Sequence, residues 1–188
     1  MALIIKVVEK SQKKKLPILF LGRLSEDKGI KDAINAYRLV YNQFPNVQFW
    51  IAGKEEKKES LKKILNKSQG KIQYFGFVNE KKKWELLERA WILIHPSTRE
   101  GWGLSVIEAN NVGTPVVGYN VPGLKDSIID KQTGLLVQPS HKNLANGIEK
   151  LLKNQTLYKK LSQNSKKWSK KFRWDTSTKK SWTMLQSL

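Results

Sequence analysis

Short apolar runs alternate with longer amphipathic stretches through most of this chain, and that alternation leaves few folds open. The runs predict strands at Leu3–Val8, Ile18–Leu21, Val47–Ala52, Ile72–Phe75, Trp91–His95, Pro115–Tyr119 and Gly134–Val137. Between them, helical spacing predicts helices near 29–44, 55–68, 80–90, 103–113 and 141–153. Strand, helix, strand, repeated at this interval, requires right-handed crossovers and gives an α/β fold with a parallel sheet covered on both faces. Ile18-Leu19-Phe20-Leu21 is apolar without alternation, as a strand buried on both sides must be. From about residue 154 the pattern is purely helical, with Trp168, Phe172, Trp174 and Trp182 spread through a lysine-rich background. There is no internal repeat and no Gly/Ser linker, and residues 9–15 read as an exposed connection between the first two strands.

Charge sets the next limit. The formal net charge is +19 over 188 residues, which invites a nucleic-acid reading. The charge is uneven, however: +11 over residues 1–83, −2 over 84–141 and +10 over 142–188. Only five of the 35 basic residues are arginine, whereas nucleic-acid readers lean on arginine's planar fork. Nucleic acid is therefore kept only as an alternative partner. The lysine-rich faces read as solvated surface, with an anionic membrane surface as the functional alternative. No apolar run approaches the length of a membrane span, and Met1-Ala2-Leu3-Ile4-Ile5-Lys6 is too short for a secretory signal. Cysteine is absent, which removes disulfides, thiolate zinc sites and cysteine nucleophiles. The expectation is a cytoplasmic domain.

In parallel sheets, ligands bind outside the carboxyl ends of the strands. Four strand-to-helix junctions, at 22–29, 53–55, 76–80 and 96–103, are thus the places for chemistry. The first, Gly22-Arg23-Leu24-Ser25-Glu26-Asp27-Lys28-Gly29, puts an arginine and a lysine between glycines at a helix start. Free amides there attract an anion, Arg23 could fork onto phosphate oxygens, and Lys28 supplies a point charge. Neither Gly-x-x-x-x-Gly-Lys-Ser/Thr nor Gly-x-Gly-x-x-Gly occurs. The last junction continues into a helix as Glu100-Gly101-Trp102-Gly103-Leu104-Ser105-Val106-Ile107-Glu108. Its two carboxylates lie at most ~12 Å apart along the helix, about the span from sugar to ribose in a nucleotide sugar. A carboxylate accepts paired hydrogen bonds from neighbouring hydroxyls, and the amides at 101–104 would face a diphosphate between them. A bland reading stands beside this one: a dipole partner at the helix start and a charge on its face.

The run Gly22–Gly29, the Glu100-x7-Glu108 block, Gly113-Thr114-Pro115-Val116-Val117 and Gly134-Leu135-Leu136-Val137 follow one another in order. Together they resemble glycosyltransferase family 4, and more narrowly the C-terminal, donor-binding half of a GT-B enzyme. The resemblance spans about residues 17–153. It implies a Rossmann-like domain at 1–153, followed by a helical tail at 154–188 that packs on this domain or on the other half. It also implies a retaining glycosyltransferase that moves a hexose from a nucleoside-diphosphate sugar to a glycan or lipid-linked acceptor, as in polysaccharide biosynthesis.

Residue by residue, the resemblance assigns Arg23 and Lys28 to the donor diphosphate and Glu100 to the transferred sugar as the catalytic residue. Gly101, Trp102, Gly103 and Leu104 supply backbone contacts, Glu108 holds the ribose, and the backbone of Gly76-Phe77-Val78 meets the nucleobase. No cofactor is implied, and no metal: the chain lacks the Asp-x-Asp pair that metal-dependent glycosyltransferases use. Because the first motif begins at Gly22, the acceptor-binding N-terminal half is expected to be missing, leaving an incomplete enzyme that is either an excised piece or a naturally separate half. In 120–126, Pro122 and Asp126 replace the family's commoner Gly and Glu, so Asp126 receives no ligand role. His95 reads as a structural histidine, and His141 receives no role. A non-catalytic nucleotide-sugar-binding module and a basic nucleic-acid-binding domain are the alternative readings.

Overall fold

The computed structural model describes residues 15–55 and 71–172. The expected strand at Leu3–Val8, nearly all of the helix at 55–68, and Trp174 and Trp182 lie outside the described residues. Within them the elements run β1 (Leu16–Leu21), α1 (Ile30–Gln43), β2 (Val47–Ala52), β3 (Ile72–Tyr74), α2 (Glu80–Arg89) and β4 (Ile92–His95). They continue as α3 (Leu104–Val112), β5 (Val116–Tyr119), α4 (Leu124–Ser127), β6 (Gly134–Val137), α5 (His141–Lys153) and α6 (Gln155–Ser169). The short α4 was not expected from the sequence, α6 ends at Ser169 with residues 173–188 of the expected tail outside the described residues, and the other elements fall within about two residues of their expected bounds.

The strands form one parallel sheet in the order β3-β2-β1-β4-β5-β6. Sequence order reverses beside β1: the chain steps outward to β2 and β3, then returns to lay β4 on β1's other side. Right-handed crossovers then place helices on both faces. On one face α1 packs against α5, and on the other α3 packs against α2 and α6. β1 is therefore covered twice, and Ile18, Leu19 and Phe20 are essentially inaccessible.

Helix boundaries follow from caps and spacing. α1 buries Ile30, Ala33, Ile34, Tyr37 and Val40, an i, i+3, i+4 stripe that faces the sheet. Tyr37 stacks on Phe49 of β2 with ring centroids 5.2 Å apart. Asn79, Ser140 and Asn154 each accept a backbone N–H from the first turn of the next helix, which starts α2, α5 and α6 where the sequence turns helical. α6 returns to the sheet domain: Tyr158 stacks on Trp91 at 4.0 Å, and its hydroxyl donates to the Trp91 carbonyl at 3.1 Å. No helix among the described residues is long and apolar enough to cross a membrane.

Glycines fasten the junctions to one another, Gly29 and Gly123 among them. Gly29, with φ of 73°, ends the first junction so close to the last that a Cβ there would lie 2.1 Å from the Pro96 carbonyl oxygen. Gly123, with φ of 81°, likewise presses α4 against the carbonyl of Glu100, where a Cβ would again come within 2.1 Å. In both places the blocking atom is backbone, so nothing can swing aside. Gly29→Ala is expected to cost about 2–4 kcal/mol, lowering the melting temperature by roughly 5–15 °C. Gly101→Ala, where a Cβ meets nothing within 4 Å, should leave it nearly unchanged. Equal melting of the two variants would show that the junctions are not locked at Gly29.

Candidate active site

All four junctions lie side by side along the carboxyl edge of the sheet. Leu24 N–H donates to the Lys54 carbonyl at 2.9 Å, and Gly53 N–H donates to the Gly76 carbonyl at 2.8 Å. Thr98 N–H donates to the Asp27 carbonyl at 2.9 Å, and the Ser97 hydroxyl donates to the Arg99 carbonyl at 2.7 Å. The first and last junctions leave β1 and β4, the neighbours between which strand order reverses. Helices depart from those two strands toward opposite faces, so a crevice opens between them.

The charged side chains of the two junctions meet there. Lys28 Nζ donates to Glu100 Oε2 at 2.8 Å, across 72 residues of sequence, and both side chains are largely shielded from water. His95, the last residue of β4, brings Nε2 to the same oxygen at 3.0 Å. These groups hold the Glu100 carboxyl down at about 2: hydrogen bonding from His95 is the largest cause, burial opposes it, and Lys28 adds to the lowering. Both described partners of Glu100 use Oε2, which leaves Oε1 as the acceptor for an incoming donor group. Lys28 spends one of its three N–H donors on Glu100, so two remain for an anion.

The remaining expected residues lie on the four junctions or on α3, which leaves the last of them. Arg23 is exposed, with Nη2 3.2 Å from Asp27 Oδ2. Gly103 caps α3, and Leu104, its first residue, is 63% exposed. Trp102 is half-buried, with its ring edge-on to Phe172 at 4.7 Å, and Phe172 in turn meets Trp168 at 5.0 Å, so the Glu100 loop is braced by the end of α6. Val78 is half-buried against the core while its neighbour Phe77 is 81% exposed. Glu108 lies one turn into α3, where Oε1 accepts from Lys83 Nζ at 2.7 Å.

Two residues of this constellation were missed or misread. His95, read as structural, is buried as that reading requires, yet its ring fixes the carboxylate of Glu100. Its place at a strand's carboxyl end, five residues before Glu100, was the available signal. Lys83 stood out only as one of three consecutive lysines on a helix. In the fold it joins Glu108 and, at 2.8 Å, Glu80. Burial lowers its tendency to hold a proton, but the two carboxylates outweigh that and raise its pKa above the ordinary range.

Glu100 also gives a sign to the acid response. Its folded pKa lies below the ordinary 4.5, so its contribution to stability is complete above about pH 4.5 and is lost as pH falls toward 2. The melting-temperature gap between wild type and Glu100→Gln should accordingly be widest at neutral pH, narrow below pH 4.5 and close near pH 2. A gap independent of pH would mean that the carboxylate is not held by these partners.

Known proteins share this domain. Residues 3–168 match the family described as glycosyl transferases group 1. An uncharacterized glycosyltransferase of Methanocaldococcus jannaschii is 31% identical over 86% of this chain and 42% of its own. The capsular polysaccharide biosynthesis glycosyltransferase CapM of Staphylococcus aureus is 25% identical over 79% of this chain and 40% of its own. This chain thus spans less than half the length of either relative. Among solved structures, Anabaena HepE, in complex with UDP and glucose, superposes with a TM-score of 0.84 at 21% identity, covering 94% of this chain and 50% of that one. The sheet is therefore one Rossmann-like half of a two-part GT-B architecture, and the chain belongs to the glycosyl transferases of group 1.

Proposed function

We propose that this domain is the donor-binding half of a retaining, metal-independent glycosyltransferase of family 4, which transfers a hexose from a nucleoside-diphosphate sugar to a glycan or lipid-linked acceptor. The observation that carries the reading is the 2.8 Å contact between Lys28 and Glu100, which joins the cationic junction to the acidic one at the strand-order switch. A diphosphate lying there meets Arg23, the two remaining donors of Lys28 and the amides at the start of α3. The sugar then falls on Glu100 and the ribose on Glu108, with the base against the backbone of Gly76-Phe77-Val78. The neighbour that holds UDP and glucose favours this class of donor, and the relative named for capsular polysaccharide biosynthesis favours a glycan acceptor.

Transfer breaks the bond between the anomeric carbon and the diphosphate oxygen, and the electron pair leaves with the diphosphate. Fixed cations and helix amides stabilise that departing charge more in the transition state than before it. Arg23 and Lys28 fill the role a divalent ion would otherwise serve. Glu100, held ionised by His95 and Lys28, orients the sugar through Oε1 and offsets positive charge growing at the anomeric carbon. The acceptor hydroxyl, held by an acceptor-binding half, bonds to the anomeric carbon from the face the diphosphate leaves, which retains configuration, and its proton passes to the departing diphosphate oxygen.

The same reading puts the protein at the cytoplasmic face of a membrane. On and just after α6, Lys159, Lys160, Lys166, Lys167, Lys170 and Lys171 fall within an arc of about 140° at roughly 100° per residue. No acidic residue occurs between 150 and 174 to neutralise them. Each lysine near an anionic bilayer contributes about 1 kcal/mol, enough for reversible docking.

In a thermal-shift titration, UDP-glucose at about a hundredfold excess over its Kd should raise the melting temperature by about 5–10 °C. Arg23→Ala and Glu108→Ala should each weaken binding about tenfold or more. Melting unchanged by UDP-, GDP- and ADP-sugars alike counts against the reading. Sugar transfer after rejoining an acceptor half separates the enzyme from a non-catalytic binding module.

A further inference from the structure

Glu108 stands on the exposed side of α3, where a glutamate side chain ordinarily samples several rotamers and keeps both oxygens in water. Here it does neither. Lys83 reaches across from the first turn of α2 and donates to Oε1 at 2.7 Å, and the glutamate side chain is only 26% exposed. Lys83 is itself held from behind. Its Nζ donates to Glu80 Oε1 at 2.8 Å, and its side chain is only 16% exposed. The start of α2 is fixed in turn by Asn79, whose side chain accepts the Lys82 N–H at 2.9 Å. A chain of contacts thus runs from a helix cap, through one ammonium, to one oxygen of Glu108.

From this geometry we infer that Lys83 is a positioning residue for the nucleotide: it orients Glu108 and cancels its charge so that Oε2 can accept ribose hydroxyls beside an anionic diphosphate. The inference rests on the proposed placement of the ribose at Glu108. Two physical effects support it. Engaging Oε1 leaves one oxygen, with both its lone pairs, as the acceptor, so the rotamer that meets the ribose is selected before the ligand arrives. An unpaired carboxylate at this point would also repel the diphosphate held by Arg23 and Lys28, and the ammonium removes that repulsion. The arrangement parallels Glu100, where Lys28 and His95 occupy Oε2 and leave Oε1 for the sugar. Each carboxylate of the pair has one oxygen on a lysine ammonium, and no described contact engages the other. Lys83 contacts the ligand only through Glu108, which distinguishes it from Arg23 and Lys28.

The test is calorimetric titration of the 188-residue chain with UDP and with 2′,3′-dideoxy-UDP, which lacks the hydroxyls in question. Wild type should prefer UDP. Lys83→Met should weaken UDP binding about tenfold, leave binding of the dideoxy analogue unchanged, and so erase the preference. Lys83→Arg, which keeps a cation in reach of both carboxylates, should restore most of it. Equal weakening of both ligands, or of neither, overturns the inference, because a general loss of charge or of structure does not read the ribose. A wild-type chain that binds both ligands alike overturns the ribose placement at Glu108 itself, a failure marked by a Glu108→Gln variant with unchanged UDP affinity, whereas a chain that binds neither overturns the donor-binding reading on which the inference rests. Should Lys83→Met fail to fold with Glu80 stranded, Lys83→Met/Glu80→Gln carries the same comparison.

Discussion

A parallel sheet whose strand order reverses beside one strand has a crevice at that point and nowhere else along its edge, because right-handed crossovers send the flanking helices to opposite faces. β1 and β4 flank the reversal here, and the residues of interest sit on the loops and helices that leave these two strands or pack against those loops. Lys28 arrives from one side and Glu100 from the other, and the ion pair between them is the physical form of that topological fact. Shielding from water strengthens the contact, and the loops around it are fastened by backbone rather than by mobile side chains.

The electrostatics of the crevice are balanced rather than simply basic. The chain as a whole carries a large positive charge, yet the segment holding both glutamates is slightly acidic. Each carboxylate is met by a lysine from a different element, Lys28 for Glu100 and Lys83 for Glu108, and the His95 ring adds a second contact to Glu100. Such pairing orients the acids, and for Glu100 favours the ionised form, without filling the site with uncompensated charge that would repel an anionic ligand. Six of the lysines lie elsewhere, on one arc of α6 and just beyond its end. α6 nevertheless touches the site indirectly, since Trp168 and Phe172 at its end support Trp102 in the Glu100 loop.

Much of the fold was legible because its signals are local. Val47–Ala52 and Gly134–Val137 are bounded as their apolar runs are, and Asn79, Ser140 and Asn154 mark helix starts by chemistry that acts within three residues. α4 was missed for the opposite reason. Four residues carry no periodicity, and the element exists because Gly123 allows the chain to turn against the Glu100 carbonyl, a contact made 23 residues upstream.

The residue types of the site were likewise written in the sequence. A cationic junction after one buried strand and paired glutamates after another are properties of spacing, and spacing survives folding. What no stretch of sequence contained was the partner of each group. Lys83 is one of three neighbouring lysines until α2 turns it toward α3, and His95 is an ordinary buried ring until the loop from Pro96 folds Glu100 back over it. Local chain geometry decides where a side chain sits along an element. Only the packing of elements distant in sequence decides which oxygen of a carboxylate it meets, because that contact is made by the tertiary structure and by nothing nearer.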